Sequence, residues 1–249
     1  MFKQEKDAMQ NRADSKTEKI FLSYVSHRIR TPLNSVIGFS KLLLNRDMKE
    51  EKSKVFAERI LDSGYELLFY FQNIMDLSEI EAGMITVNPV KFEIKQFFES
   101  LAAEYTDRIQ NERKLNVYYN ELVEDKHRLS LYTDEFMFKR ILSNMIELAR
   151  QYIVEGEIQI SFVKTKGDEI KSYVRGIVDK NNQHSEMSYL TSNYPNGQQE
   201  DSIEYLTYKV TKQLSGLLKG EFTVENKDDR GILISRSEER RVGKECVSE

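Results

Sequence analysis

Residues 21–43 read FLSYVSHRIRTPLNSVIGFSKLL, and this stretch decides the fold. Leu22, Val25, Ile29, Val36 and Leu43 recur at spacings of three, four and seven, the period of one apolar helix face. The pattern predicts an amphipathic helix over residues 14–45, with Pro32 bending it or loosening one backbone hydrogen bond. At 3.6 residues per turn, His27 lies about 200° round from Val25 and Ile29, on the face of Tyr24 and Thr31. Asn45, Arg46 and Asp47 make a short polar turn. Residues 50–81 give a second helix, with Phe56, Ile60, Leu67, Phe71 and Ile74 on one face and Gly83 just past its end. Two long helices on a short loop form an antiparallel hairpin. One hairpin cannot cover its own apolar stripe, so the pattern predicts a homodimer in which two copies pair into a four-helix bundle.

From about residue 90 the texture changes. Phe92–Ile94 is a short strand candidate, and residues 95–110 are helical. Residues 116–120 (NVYYN) are strand-like, and Phe136–Tyr152 is helical. Ile158–Val163 alternates as a half-buried strand does, Lys171–Val178 is another strand, and Glu204–Leu218 another helix. Glu221–Glu225 and Gly231–Ser235 make a closing hairpin. Strands joined by hairpins and interleaved with helices indicate an α+β fold, a sheet with helices on one face. Residues 180–203 are polar and turn-rich.

The composition is compatible with this. The chain has 249 residues, 31% of them charged and 39% hydrophobic, with net charge −4. That is room for one or two domains with a core of their own. The mild acidity argues against a nucleic-acid partner, which usually needs a basic patch. No apolar run approaches the roughly 20 residues that span a bilayer, and the polar start, residues 1–13, lacks the apolar region of a signal peptide. One cysteine, Cys246, excludes an internal disulfide. The expected setting is cytoplasmic.

That cysteine lies in an odd tail. Residues 236–249 read RSEERRVGKECVSE, and Arg236 to Cys246 resembles the in-frame translation of a short-read sequencing adapter. The tail is therefore expected to be an artefact of read-through fused to a truncated gene, and to lie outside the fold. Its four basic and four acidic residues cancel, so the net charge of the remainder is unchanged.

The box Ser26-His27-Arg28-Ile29-Arg30-Thr31-Pro32-Leu33 strongly resembles the phosphoacceptor box of sensor histidine kinases, whose usual form is close to S-H-E-[IL]-R-T-P-L. Asp76-Leu77-Ser78-Glu79-Ile80-Glu81-Ala82-Gly83 matches the D-L-S-x-I-E-A-G that ends the family's second helix. The resemblance implies a dimerisation and phosphoacceptor domain over 14–88 and a histidine-kinase-like ATPase domain, an α/β sandwich, over 89–235. It implies His27 as the phosphoacceptor, with Thr31 one turn later placed to touch the group His27 carries. A neutral imidazole nitrogen is a competent nucleophile near pH 7. The implied cofactors are ATP and Mg²⁺. The implied partner is the receiver domain of a response regulator, with a membrane sensor attached upstream and Met1 an internal methionine.

The chain departs from the family where the chemistry is done. Arg28 replaces a carboxylate that accepts the ring proton, and arginine has five donors and no acceptor. Arg28 could instead attract a phosphoryl group or an acidic partner surface. In the segment from Arg140 to Tyr152, matching R-x-L-x-N-L-x-x-N-A-x-K-[FY], the first asparagine is kept as Asn144. The second, which helps hold Mg²⁺, is Leu148, and the lysine is Gln151. The plain alternative for Asn144 is a polar residue on a helix surface. The adenine box D-x-G-x-G keeps Asp179 and loses both glycines to Asn181 and Gln183. Counting back from Leu218-Lys219-Gly220-Glu221, the family's L-G-G-E, the phosphate-cradling G-T-G-L-G-L is replaced by Ile203-Glu204-Tyr205-Leu206-Thr207-Tyr208. Glycine serves there because backbone amides must approach phosphate closely.

Two functions follow from the resemblance. One is a two-component transmitter with phosphoacceptor His27 whose own ATP-dependent autophosphorylation is impaired, a pseudokinase in a phosphorelay. The alternative is an active ATP-dependent protein-histidine kinase that phosphorylates His27 and passes the phosphoryl group to a response regulator.

Overall fold

The computed structural model describes Ser26 and residues 28–44, 49–109, 115–121, 129–153, 155–165, 169–178, 203–226 and 231–238. These fall into two compact units, one drawn from Met1–Ser78 and Gly197–Leu206, the other from Glu79–Asn196 and Thr207–Glu249.

The first unit is the helical hairpin. Helix α1 covers residues 28–43 and α2 covers Glu50–Glu81. Leu22, Val25 and the turn at 45–47 lie outside the described residues. Phe39, late in α1, packs on Phe56, early in α2, with ring centroids 5.4 Å apart, as antiparallel helices require. Pro32 is buried within α1. On α2 the buried side chains are Tyr70, Asn73, Asp76 and Leu77. Of the expected stripe, Phe71 is 58% exposed, as a stripe that one hairpin cannot cover would be. Tyr70 and Leu77 sit on the inward side instead, so α2 has two apolar faces about 100° apart and only one is used within the hairpin.

Helix α2 ends as its sequence predicts. Gly83 adopts φ +64°, its N–H donates to the Ile80 carbonyl, and the Met84 N–H donates to the Glu79 carbonyl. That pair of bonds is the Schellman arrangement, and it needs a residue at ease in the left-handed region.

The second unit is built on a five-stranded sheet in the order β2-β4-β5-β7-β6. Its strands are β2 (Leu115–Tyr119), β4 (Gly156–Lys164), β5 (Ile170–Val178), β6 (Gly220–Asn226) and β7 (Gly231–Glu238). The pair β2–β4 is parallel and the rest are antiparallel. Helix α3 (Ile94–Ile109) packs on β2, and α4 (Glu135–Tyr152) packs on β5 and β7. Helix α5 spans Ile203–Leu217. A two-stranded sheet pairs β1 (Val90–Glu93) with β3 (Ser130–Thr133). The sequence reading lacks β3, because SLYT is too short to show a period of two.

The core is aromatic. Phe98 lies 5.2 Å from Phe162, and Phe97 lies 5.2 Å from Phe138. Helix α4 buries Phe138, Ile141, Leu142, Met145, Leu148 and Ala149, a stripe at helical spacing. Asp134 fixes its start: one carboxylate oxygen accepts from the Met137 N–H at 2.9 Å, the other from the Asn88 N–H at 2.8 Å.

The sheet runs past the expected boundary at 235. Strand β7 continues through Arg236 to Glu238, with Arg236 opposite both Ser172 and Phe222. Ladder hydrogen bonds use the backbone alone, so three residues of any origin can extend a strand whose neighbours offer an open edge. Residues 239–249 lie outside the described residues.

Candidate functional site

His27 and Asp179 lie outside the described residues, so the site is built from their neighbours. Arg28 and Thr31 both stand on α1, Thr31 exposed and Arg28 half-buried. The Arg28 Nη2 donates to Glu204 Oε1 at 3.4 Å within the first unit. Tyr70, on α2 and nearly buried, donates its hydroxyl to Glu66 at 2.5 Å. Burial first, then Glu66, push the Tyr70 phenol well above its ordinary value, with Arg28 pulling the other way. Tyr70 is therefore a neutral donor, and it shares its surroundings with the Arg28–Glu204 pair.

In the second unit, Asn144 is buried, not on the helix surface. Leu148, at the position where the family's pattern has its second asparagine, is fully buried on α4. A leucine side chain offers no oxygen to a hard cation. Glu147 beside it is also buried, and it is taken up by arginines: Arg150 Nε donates to Oε2 at 2.7 Å and Arg108 Nη1 lies 3.2 Å from Oε1. No group of three metal-ligating side chains occurs among the described residues.

The positions that would form the phosphate-cradling loop are helical. Residues 203–208 are the first turns of α5, with Glu204 in the opening turn. An acidic side chain there suits the positive end of the helix dipole and stabilises the helix, but it repels the phosphates the loop would carry. Among the described residues, Leu148 and Glu204 are therefore the two positions whose side chains do not suit a magnesium–triphosphate group.

Residues 17–83 match the family described as His Kinase A (phospho-acceptor) domain. Its build is that of a sensor histidine kinase transmitter module. The sequence is 26% identical over 225 residues to the autoinducer 2 sensor kinase/phosphatase LuxQ of Vibrio vulnificus, covering 87% of this chain and 26% of that protein's own length. The fold of the histidine kinase AdeS of Acinetobacter baumannii matches with TM-score 0.56 at 17% identity, over 87% of this chain and 98% of that one. ShkA, solved at full length in complex with AMPPNP, matches with TM-score 0.54 at 16% identity, over 89% of this chain and 45% of that one. The histidine kinase ThkA, solved in complex with the response regulator protein TrrA, matches with TM-score 0.50 at 16% identity, over 96% of this chain and 66% of that one. The module has the hairpin and the mixed sheet of the two-component sensor histidine kinases. No helix among its described residues is long and apolar enough to cross a membrane.

Sequence reasoning placed Arg28 and Glu204 separately and missed that they meet. The signal was present: a cation where the family has an acid, and an anion where its phosphate-cradling loop has a neutral residue.

Proposed function

We propose that this transmitter module carries phosphoryl groups on His27 in a phosphorelay and that its own ATP-dependent autophosphorylation is impaired. The observation that carries the reading is the start of α5: the stretch that would cradle phosphates is already helix and opens with Glu204. Leu148 supports it by removing the magnesium ligand. One lost charge-assisted hydrogen bond costs about 1.5–3 kcal/mol, roughly ten- to a hundredfold in affinity. Several such losses together exceed what millimolar ATP offsets.

The phosphoryl group then comes from a phosphorylated partner, the receiver domain of a response regulator. A neutral ring nitrogen of His27 attacks phosphorus, the partner's P–O bond breaks, and the aspartate carboxylate leaves. Arg28 has no acceptor, so the remaining ring proton is lost to water. Thr31 and Asn144 keep the roles the resemblance gives them, Thr31 toward the carried group and Asn144, with Asp179, as what is left of the nucleotide contacts. The unit acts as a homodimer through the hairpin and works in the cytoplasm beneath an upstream sensor. The ThkA complex with its regulator favours such a partner by analogy.

The second reading, an active kinase, is favoured by the burial of Asn144 on α4 and by the nucleotide in ShkA. Calorimetry of the purified chain with Mg-ATP separates the two. We expect no heat of binding at micromolar nucleotide; micromolar affinity would establish the active kinase. A phosphorylated receiver should label the chain, and His27→Ala should abolish the label.

A further inference from the structure

Arg28 and Glu204 depart from the family pattern in opposite senses, and they are in contact at 3.4 Å. The contact is longer than the roughly 2.7–2.9 Å of a strong charge-assisted bond. The side chains are 42% and 22% exposed, so water competes with both. Such a pair shifts an equilibrium by a factor of about five at most. It is therefore a contact that another anion can replace. Beside it, the Tyr70 hydroxyl donates its one hydrogen to Glu66, so that hydrogen is not available to Glu204.

A carboxylate and a phosphoryl group present the same feature to arginine, oxygens sharing negative charge that its fork of donors can grip. A phosphoryl group does so better, with a charge of about −1.5 to −2 and three acceptor oxygens. We propose that Arg28 is an anion-binding residue of the hairpin, held by the Glu204 carboxylate in place of a phosphoryl group, so that a phosphoryl group enters by displacing Glu204. The phosphoryl group has two possible sources, free phosphate and phospho-His27, which precedes Arg28 in the chain. Only the second rests on the proposed function.

Two measurements on the full chain test the assignment. In the first, Arg28 is modified with phenylglyoxal, an arginine-selective dicarbonyl, and the rate is read by mass spectrometry. Glu204→Gln should raise that rate about fivefold. Glu204→Asp, which keeps the charge, should stay closer to the parent rate. Inorganic phosphate should slow the reaction in Glu204→Gln more than in the parent. Equal rates in the parent and Glu204→Gln, or no protection by phosphate, overturns the proposal. In the second, phosphoramidate is the donor: its P–N bond breaks, ammonia leaves, and a P–N bond forms to the imidazole. Labelling of His27 should be faster in Glu204→Gln than in the parent, and the gain should vanish in Arg28→Gln/Glu204→Gln. A gain that persists without Arg28 overturns the role toward phospho-His27. If no variant is labelled while the modification rates behave as expected, the anion site stands and the phosphoacceptor reading falls.

Discussion

Arg236 shows at the scale of one residue what a sequence boundary hides. It is 1% exposed, and its guanidinium lies 5.1 Å from the centre of the Phe138 ring. A cation over an aromatic face recovers a little energy, whereas burying the charge costs several kcal/mol. A native strand facing an aromatic core has an apolar side chain at such a position. Replacing Arg236 by Met should stabilise the chain by about 2 kcal/mol, read as a higher urea midpoint with an unchanged slope. A lower midpoint would mean that the guanidinium contributes more than its desolvation costs.

Helix ends make the same case at the scale of elements. Gly83 closes α2 at φ +64°, and Lys219 follows α5 at φ +61° with its N–H donating to the Gly216 carbonyl. The geometry is the same, but Lys219 has a Cβ there and pays strain of about 1 kcal/mol. Lys219→Gly should leave the thermal midpoint unchanged or raise it slightly, a gain of at most about 0.5 kcal/mol once the glycine's extra unfolded-state freedom is subtracted. The neighbouring Gly220 is a contrast: a Cβ there would stand 2.3 Å from the Ser237 carbonyl oxygen, so Gly220→Ala should destabilise. Most elements were legible because α2, α3 and α4 repeat apolar residues at helical spacing over 32, 16 and 18 residues and Ile158–Val163 in β4 alternates as a strand does. Strand β3 was not, and the parallel pairing of β2 with β4 was not, since period-2 alternation says nothing about a neighbour's direction.

The molecule as a whole leaves the outward face of its hairpin apolar. Leu33 and Ile37 on α1, and Leu61, Leu68 and Phe71 on α2, are all exposed. Burying a leucine fully is worth about 1.5–3 kcal/mol, so a second hairpin laid on this face gains enough to hold a dimer. Sedimentation should find the chain dimeric, and Leu68→Asp combined with Phe71→Asp should make it monomeric. A parent that sediments as a monomer at tens of micromolar would reject the bundle.

The sequence by itself determined the hairpin, the order of the longer helices and strands, and a leucine at position 148. Each of these depends on local spacing or on the chemistry of one side chain. Only the tertiary structure decided that Asn144 is buried, that Phe71 points away from α1, that Arg236 joins the core, and that Glu204 reaches Arg28. Those outcomes depend on which surfaces meet. Residues 28 and 204 are separated by most of the chain, and no local period connects them.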